Sequence, residues 1–408
     1  MVDDSNTILL TTINAKWIHP SLALRLLKAN LGGLEERAAI VEFALRQPLT
    51  EKLEPILAAQ PRILGLSVSI WNHRATVELL QALERAWAER TVPGPVVVLG
   101  GPEVSYLSGK NDAEAEIIKY ADWVVRGEGE AVFRELCGVL LEKDETEEAK
   151  RLAVSSSICE KIAALPSVKL VSGKFIDAMP VDLAGINSGY RLYTGEDLTR
   201  KLVYVEASRG CPFGCEFCLS SLDRQVREFP PDKFLREMAA LIDRGARTFK
   251  FLDRTFNLDI ARARRIMEFF LAQIEKASPP ETRPMVVSGL SSPDEASVRP
   301  PLCVHFEMVP VRFPAELRDI LSRFPAGSLR LEVGIQTFNS NTAALIGRAS
   351  DPAKELEVLE FLRRETNAIV HADLIAGLPG EDLVSFGEGF DRLWGALSGA
   401  AAQPPASW

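Results

Sequence analysis

Basic charge is scarce in this chain. Its 408 residues carry 47 Lys and Arg against 56 Asp and Glu, a net charge of −9. A sequence-independent grip on nucleic acid needs a basic surface, so nucleic acid is not an expected partner. Long apolar runs are missing too. Pro95–Leu99 is among the longest, and it is strand-sized, far short of a bilayer span. The N-terminus lacks the charged-then-apolar pattern of a signal peptide. Only six cysteines occur, and Cys137, Cys159 and Cys303 are scattered, so no disulfide framework is expected. These absences point to the reducing cytoplasm and to no membrane partner. No internal repeat of solenoid period is visible. What remains is an ordinary globular composition, 47% hydrophobic and 25% charged, long enough for two or three domains.

The other three cysteines are bunched in Arg209-Gly210-Cys211-Pro212-Phe213-Gly214-Cys215-Glu216-Phe217-Cys218. Gly210, Pro212 and Gly214 bend the backbone between them, so the thiolates can converge on one point. A structural zinc site normally closes with a fourth ligand, and no His or Cys follows within a dozen residues. Iron–sulfur clusters are also held by closely spaced thiolates, usually four. A cluster held by three leaves one iron open to bind something else. The alternatives are a zinc knuckle with a distant fourth ligand, or free thiols.

Short apolar runs alternate with helical stretches before this motif. Thr7–Ile13, Ala38–Phe43, Ile63–Ser69, Val96–Gly100 and Asp122–Arg126 read as strands. They are rich in Val, Ile and Leu, as parallel strands buried on both faces are. Ser21–Leu31, Leu53–Ala59 and Thr76–Glu89 carry helical periodicity between them. The alternation predicts an α/β fold with a flavodoxin-like doubly wound parallel sheet, whose ligands lie beyond the carboxyl strand ends. Those ends carry Asn14, Lys16, Ser67, Ser69, Trp71, Asn72, Gly100, Gly101, Glu103 and Gly127. Lys143–Lys150 is a charged stretch, Val168–Ile176 reads as a small hairpin, and Pro180–Gly189 as a loop. A second βα series follows, with strands at Leu202–Ala207, Arg247–Leu252, Val304–Val309, Leu329–Ile335 and Ala368–Ile375 and helices such as Pro231–Arg244 and Ile260–Lys276. Its active residues are expected at the carboxyl strand ends. Ser278–Arg299 reads as a surface insertion and Gly395–Trp408 as a frayed tail.

The three-cysteine run, with Phe217 before its third Cys and an apolar strand ahead of it, resembles the signature of radical S-adenosylmethionine (SAM) enzymes. The resemblance implies that Cys211, Cys215 and Cys218 hold a 4Fe-4S cluster. It implies that SAM binds the open iron and is reductively cleaved. It also implies a partial (β/α)6-type barrel. Only five strands are readable here, so the last strand is expected to be missing. Where relatives often carry a Gly-Gly-Glu-like segment, this chain has Asp253-Arg254-Thr255. Position alone therefore suggests Asp253 and Arg254 for the amino group of SAM, against an ion pair between the two. Glu307, Glu332, Gly334 and Gln336 resemble positions lining the SAM pocket. An inward carboxylate on an apolar strand is costly without a partner, which favours ligand contact for Glu307 and Glu332 over the alternative of an internal salt bridge. The turn Gly377-Leu378-Pro379-Gly380-Glu381 closes the fifth strand.

Taken with the motif, the first sheet resembles the cobalamin-binding domain fused to many radical SAM enzymes. Val98-Leu99-Gly100-Gly101-Pro102-Glu103 and Val125-Arg126-Gly127-Glu128-Gly129-Glu130 carry that likeness, with Ser67 and Ser69 at the neighbouring strand end. The Asp-x-His-x-x-Gly motif of other cobalamin enzymes is absent, and His19 lies in a loop, so cobalamin bound without a protein histidine is expected. The expected division is a cobalamin-binding-like domain at 1–140, a linker with the hairpin at 141–200, the radical SAM core at 201–394 and a tail at 395–408. The expected activity is cleavage of SAM at a 4Fe-4S cluster and, with cobalamin, modification of an unactivated carbon, most commonly methylation. The rivals are a radical SAM enzyme without cobalamin and a truncated, inactive cluster-binding protein. The resemblance implies an electron donor such as flavodoxin or ferredoxin and an unidentified small-molecule or peptide substrate.

Overall fold

Runs of Val, Ile and Leu form the strands of a first sheet: β1 (Ile8–Asn14), β2 (Ala38–Ala44), β3 (Ile63–Ser67), β4 (Val96–Gly100), β5 (Trp123–Arg126), β6 (Val168–Ser172) and β7 (Phe175–Ala178). The computed structural model describes residues 7–90, 94–107, 116–142, 156–277 and 302–398. The chain divides into two compact units, Met1–Lys201 and Leu202–Trp408. In the first unit the strand order is β2-β1-β3-β4-β5-β7-β6. Its first five strands follow the flavodoxin-like order, with the topological switch between β1 and β3. Alternate residues of each strand enter two separate cores. Leu9, Ile13, Leu64, Leu66, Leu99 and Val124 pack on one face. Ile8, Leu10, Ile63, Val98, Trp123 and Val125 pack on the other. Helices such as Leu22–Ala29, His73–Arg90 and Gly129–Leu141 supply the covering side chains. Both faces are therefore closed, and the ends of the strands are left for binding.

The hairpin placed in a linker by the sequence is part of this sheet. β7 pairs parallel with β5, and β6 pairs antiparallel with β7. Ile176 is fully buried in the core beneath it. The segment after it is also held to the unit. Arg25 donates to Glu42 at 2.8 Å and to Asp197 at 2.7 Å, its guanidinium lies over the Tyr193 ring, and Lys201 reaches Asp197 at 2.9 Å.

The second unit holds β8 (Val203–Val205), the short antiparallel pair β9 (Ser208–Arg209) and β10 (Arg227–Glu228), β11 (Thr248–Phe251), β12 (Cys303–Met308), β13 (Leu329–Gln336) and β14 (Ile369–Leu374). Five of these form one parallel sheet in the order β14-β13-β12-β11-β8. One face is apolar. Val203, Val205, Phe249, Phe251, Phe306, Leu331 and Val333 are all buried there, and the Phe rings of β11 and β12 pack against one another. The other face carries Tyr204, Lys250, His305, Glu307 and Glu332. Among the described residues β8 and β14 are the two edges, and β14 is half exposed along its whole length. The tail expected from residue 395 begins later, because Gly395–Ser398 complete the helix Leu383–Ser398. Lys143–Lys150, Ser278–Arg299 and residues 399–408 lie outside the described residues.

Candidate functional site

The cysteine loop leaves the carboxyl end of β8 and returns through β10. The β9–β10 ladder closes its base, pairing Arg209 with Arg227 and Ser208 with Glu228. Inside the loop the Cys211 N–H donates to the Asp223 carbonyl at 2.9 Å, and the Cys218 N–H to that of Cys215 at 3.1 Å. The Glu216 N–H reaches the Ile346 carbonyl at 3.0 Å. Gly210 has φ +89°, and a Cβ there would run into the Gln225 carbonyl. That close crossing is why glycine precedes the first cysteine. Cys211 and Cys215 are buried free thiols and Cys218 is partly exposed. The Cys211 sulfur lies 3.7 Å from the Thr255 hydroxyl. Among the described residues no group of three or more His, Cys, Asp or Glu could hold a single metal ion.

Asp253 sits beneath this loop and is fully buried. It accepts the Ala207 N–H at 2.9 Å and the Ser208 hydroxyl at 2.5 Å. Burial pushes its carboxyl above the usual range, against those two donors. It neither pairs with Arg254 nor faces open space, and its visible work is to anchor the strand that enters the cysteine loop. Asn257 joins the next two loops. It donates to the Val309 and Arg312 carbonyls at 2.9 and 2.7 Å and accepts the Val309 N–H at 3.0 Å.

The polar face brings together residues that the sequence named separately. Glu307 and Glu332 are cross-strand partners on β12 and β13. Lys250 donates to Glu332 at 2.8 Å. His305 Nε2 lies 3.1 Å from the same oxygen, off the line of a hydrogen bond. His305 and Lys250 outweigh partial burial and hold the Glu332 carboxyl down at about 2. Burial raises Glu307, with Arg254 opposing. Burial also pushes the Tyr204 hydroxyl up to about 12, and Glu332 adds to that rise. His371, opposite Glu332 on β14, stacks on His305 with centroids 6.2 Å apart. Gln336 ends β13 at φ +71°, just past a bulge at Gly334. A non-glycine residue in that region is strained, and such strain gathers at functional sites. Lys250, His305 and His371 were missed because single basic residues on strands carry no spacing signal. Phe217 is exposed beside Cys218.

In the first unit the candidate positions gather at the carboxyl ends of β1, β3 and β4. Ser67 pairs with Gly100 in the ladder, and its carbonyl accepts the Thr12 hydroxyl at 2.8 Å. The Ser69 N–H donates to Asn72 at 2.8 Å. Gly101 has φ +104° and closes against the Val68 backbone. Glu103 follows, its N–H on the Val68 carbonyl at 3.1 Å. Around this edge Trp17, Ile18, Ile70, Trp71 and Tyr106 are exposed, Ile70 at 77% and Trp71 at 54%. An apolar surface left open at the ligand end of such a sheet suits a large, partly apolar ligand.

The fold and these two sites define a two-unit α/β protein whose candidate positions lie at the carboxyl ends and on one face of parallel strands. Residues 205–393 match the family model of the Radical SAM superfamily, and residues 8–137 that of the B12 binding domain. The chain thus carries, in order, a B12 binding domain match and a radical SAM domain match. It is 32% identical over 173 residues to an uncharacterized methyltransferase of Pyrococcus horikoshii, a match covering 41% of this chain and 35% of that protein. It is 30% identical over 188 residues to the cobalamin-dependent radical SAM methyltransferase TokK of Streptomyces tokunonensis, over 45% of this chain and 26% of TokK. These matches span only about a quarter to a third of those relatives. The fold is similar to that of the radical SAM methyltransferase TsrM from Kitasatospora setae, solved with cobalamin and a 4Fe-4S cluster bound. The TM-score is 0.64 at 16% identity, over 96% of this chain and 70% of that one. The cofactors of such a domain pair are a 4Fe-4S cluster, SAM and cobalamin. Three free thiols of one loop and an exposed apolar strand edge fit that set. No helix among the described residues is long and apolar enough to cross a membrane.

Proposed function

We propose that this protein is a cobalamin-dependent radical SAM enzyme that methylates an unactivated carbon of a small molecule or peptide. The observation that carries the reading is one chain holding both a three-thiol loop at the end of a parallel strand and a B12 binding domain with an exposed apolar edge. Cys211, Cys215 and Cys218 would hold the cluster. Ser67, Ser69, Gly100, Gly101 and Glu103 would border the corrin. The bound cofactors supply hydrogen abstraction and a methyl group, and the protein supplies placement and electrostatics.

The polar face suits a zwitterionic ligand such as the aminoacyl end of SAM. Arg254 and Lys250 offer charged donors to a carboxylate, and Glu307 and Gln336 offer acceptors to an ammonium group. Glu332 is already committed to Lys250, which supports a role in holding that lysine. Tyr204 stays a neutral hydroxyl donor at ordinary pH. All six cysteines are free thiols, in keeping with a reducing cytoplasm, where a flavodoxin or ferredoxin would deliver the electron. The test is anaerobic reconstitution with iron, sulfide and cobalamin, followed by assay of 5′-deoxyadenosine and S-adenosylhomocysteine. Release of both on substrate addition is expected. Turnover unaffected by omitting cobalamin would defeat the methyl-transfer reading.

A further inference from the structure

The cysteine loop is braced by the segment that follows β11. Asp253 takes the Ala207 N–H and the Ser208 hydroxyl at the base of the loop. The Phe256 N–H donates to the Glu307 carbonyl at 2.9 Å, and the Asn257 side chain fixes the loop beyond β12. Thr255 lies between these anchors and is only 5% exposed. Its hydroxyl stands 3.7 Å from the Cys211 sulfur, within reach of a hydrogen bond to sulfur, and both groups are buried. Cys211 is itself held through its N–H on the Asp223 carbonyl at 2.9 Å. Both partners of the contact are therefore fixed by their own backbones.

In the free thiol either atom could be the donor. A Cys211 thiolate bound to iron carries no proton, so there the Thr255 O–H must donate. Hydrogen bonds to the sulfurs of a cluster help set its reduction potential. Such a bond strengthens when an added electron puts more negative charge on the sulfur, so it favours the reduced state. Burial of the pair keeps water from competing with it. We infer that Thr255 tunes the cluster: it donates a hydrogen bond to the Cys211 sulfur and raises the potential at which the cluster accepts one electron. A weaker reductant can then load the cluster. The inference rests on the proposal that Cys211, Cys215 and Cys218 hold the cluster, and it assigns Thr255 no contact with SAM.

The test is a mediated redox titration of the full chain, reconstituted anaerobically with iron and sulfide and kept free of SAM. Electron paramagnetic resonance of the reduced cluster gives the midpoint. Thr255→Val keeps the side-chain shape and removes the hydroxyl. It should leave the iron content unchanged and lower the midpoint by about 59 mV, a tenfold shift in the one-electron equilibrium. Thr255→Ser keeps the donor and should titrate close to wild type. An unchanged midpoint in Thr255→Val would overturn the inference while leaving the cluster assignment standing. An equal fall in Thr255→Ser would overturn it too, because the shift would then follow packing and not the hydroxyl. If Thr255→Val takes up no iron, Thr255→Ala is titrated in its place and judged by the same two outcomes. Failure of the wild-type chain to assemble a cluster would overturn both the inference and the cluster assignment.

Discussion

The two units each build a parallel sheet from short βα repeats, yet they offer different surfaces to chemistry. In the first sheet both faces are apolar and covered. β1 is buried along nearly all its length, and only the loops beyond the strand ends are free to bind. In the second sheet the faces differ. One buries Phe249, Phe251, Phe306, Leu331 and Val333, and the other carries Lys250, His305, Glu307 and Glu332 in register. A doubly wound sheet covers both faces with helices, whereas a barrel-type sheet keeps its inner face for itself. The pattern of each strand therefore tells where to look for function: at the ends when the run is continuously apolar, on the face when it alternates.

The sharpest way to break this comparison is to remove the thiols. Replacing Cys211, Cys215 or Cys218 with Ala should abolish cluster iron and SAM cleavage, read by iron analysis and 5′-deoxyadenosine assay. Corrin uptake by the first unit should persist. Cys137→Ala, Cys159→Ala and Cys303→Ala should keep the cluster. Burial raises the thiols of Cys137 and Cys303, which makes them poor thiolate donors. Stoichiometric zinc without iron in anaerobically purified protein would sink the cluster assignment.

Depth of charge gives a second contrast. Arg25 and Asp197 are almost fully buried, so Arg25→Ala strands two carboxylates and should cost about 3–5 kcal/mol. Lys250 and Glu332 are each more than a quarter exposed, so Lys250→Ala should cost only about 1 kcal/mol. Urea unfolding of both variants checks the pair. Equal costs would mean that the polar face is as dry as the first unit's interior.

Much of this was legible from the sequence, and the gaps have physical causes. Ten apolar runs became strands within about two residues of the expected bounds, because a buried strand must be apolar whatever lies around it. Val168–Ile176 was read as a hairpin but not as part of the sheet, since pairing between β5 and β7 leaves no local mark. Asp253 was read as a ligand position. Its burial under Ala207 and Ser208 depends on the loop 46 residues upstream. His73 stands at a helix start, where a polar residue is unremarkable, and its partner Glu103 lies 30 residues along the chain. Glu332 was rightly seen to need a partner or a ligand, but the partner, Lys250, lies two strands away.

Asn72 tests whether the first sheet's function does live at its ends. It holds the turn between β3 and the following helix, and Ala there would leave the Ser69 N–H without its acceptor. Asn72→Ala should cost about 1–3 kcal/mol and speed hydrogen exchange between Ser69 and Thr76. It should also weaken corrin uptake, and leave the cysteine loop's iron content unchanged. Normal corrin affinity in a variant with a loosened turn would show that the edge does not form the binding surface.

The smallest expected effect is read in acid, and it asks whether the two units respond separately. Each holds one carboxyl well below the usual range. Burial alone would raise Asp197, but Lys201, the Thr194 N–H and Arg25 outweigh it and bring the group to about 2. His305 and then Lys250 bring Glu332 to about 2. Both folded values lie below the ordinary ones of 3.8 and 4.5. Each group therefore stabilises the fold fully above its ordinary value, and that contribution is lost as pH falls toward 2. Unfolding free energy should decline across that window. Asp197→Asn should flatten the decline in the first unit and Glu332→Gln in the second, each by roughly 1 kcal/mol after screening by solvent. Hydrogen exchange at pH 4.5 and 2.5, read separately in β1 and β13, distinguishes them. If either variant flattened the profile of both strands equally, the two sheets would be opening as one body, and the contrast between them would not extend to their stability.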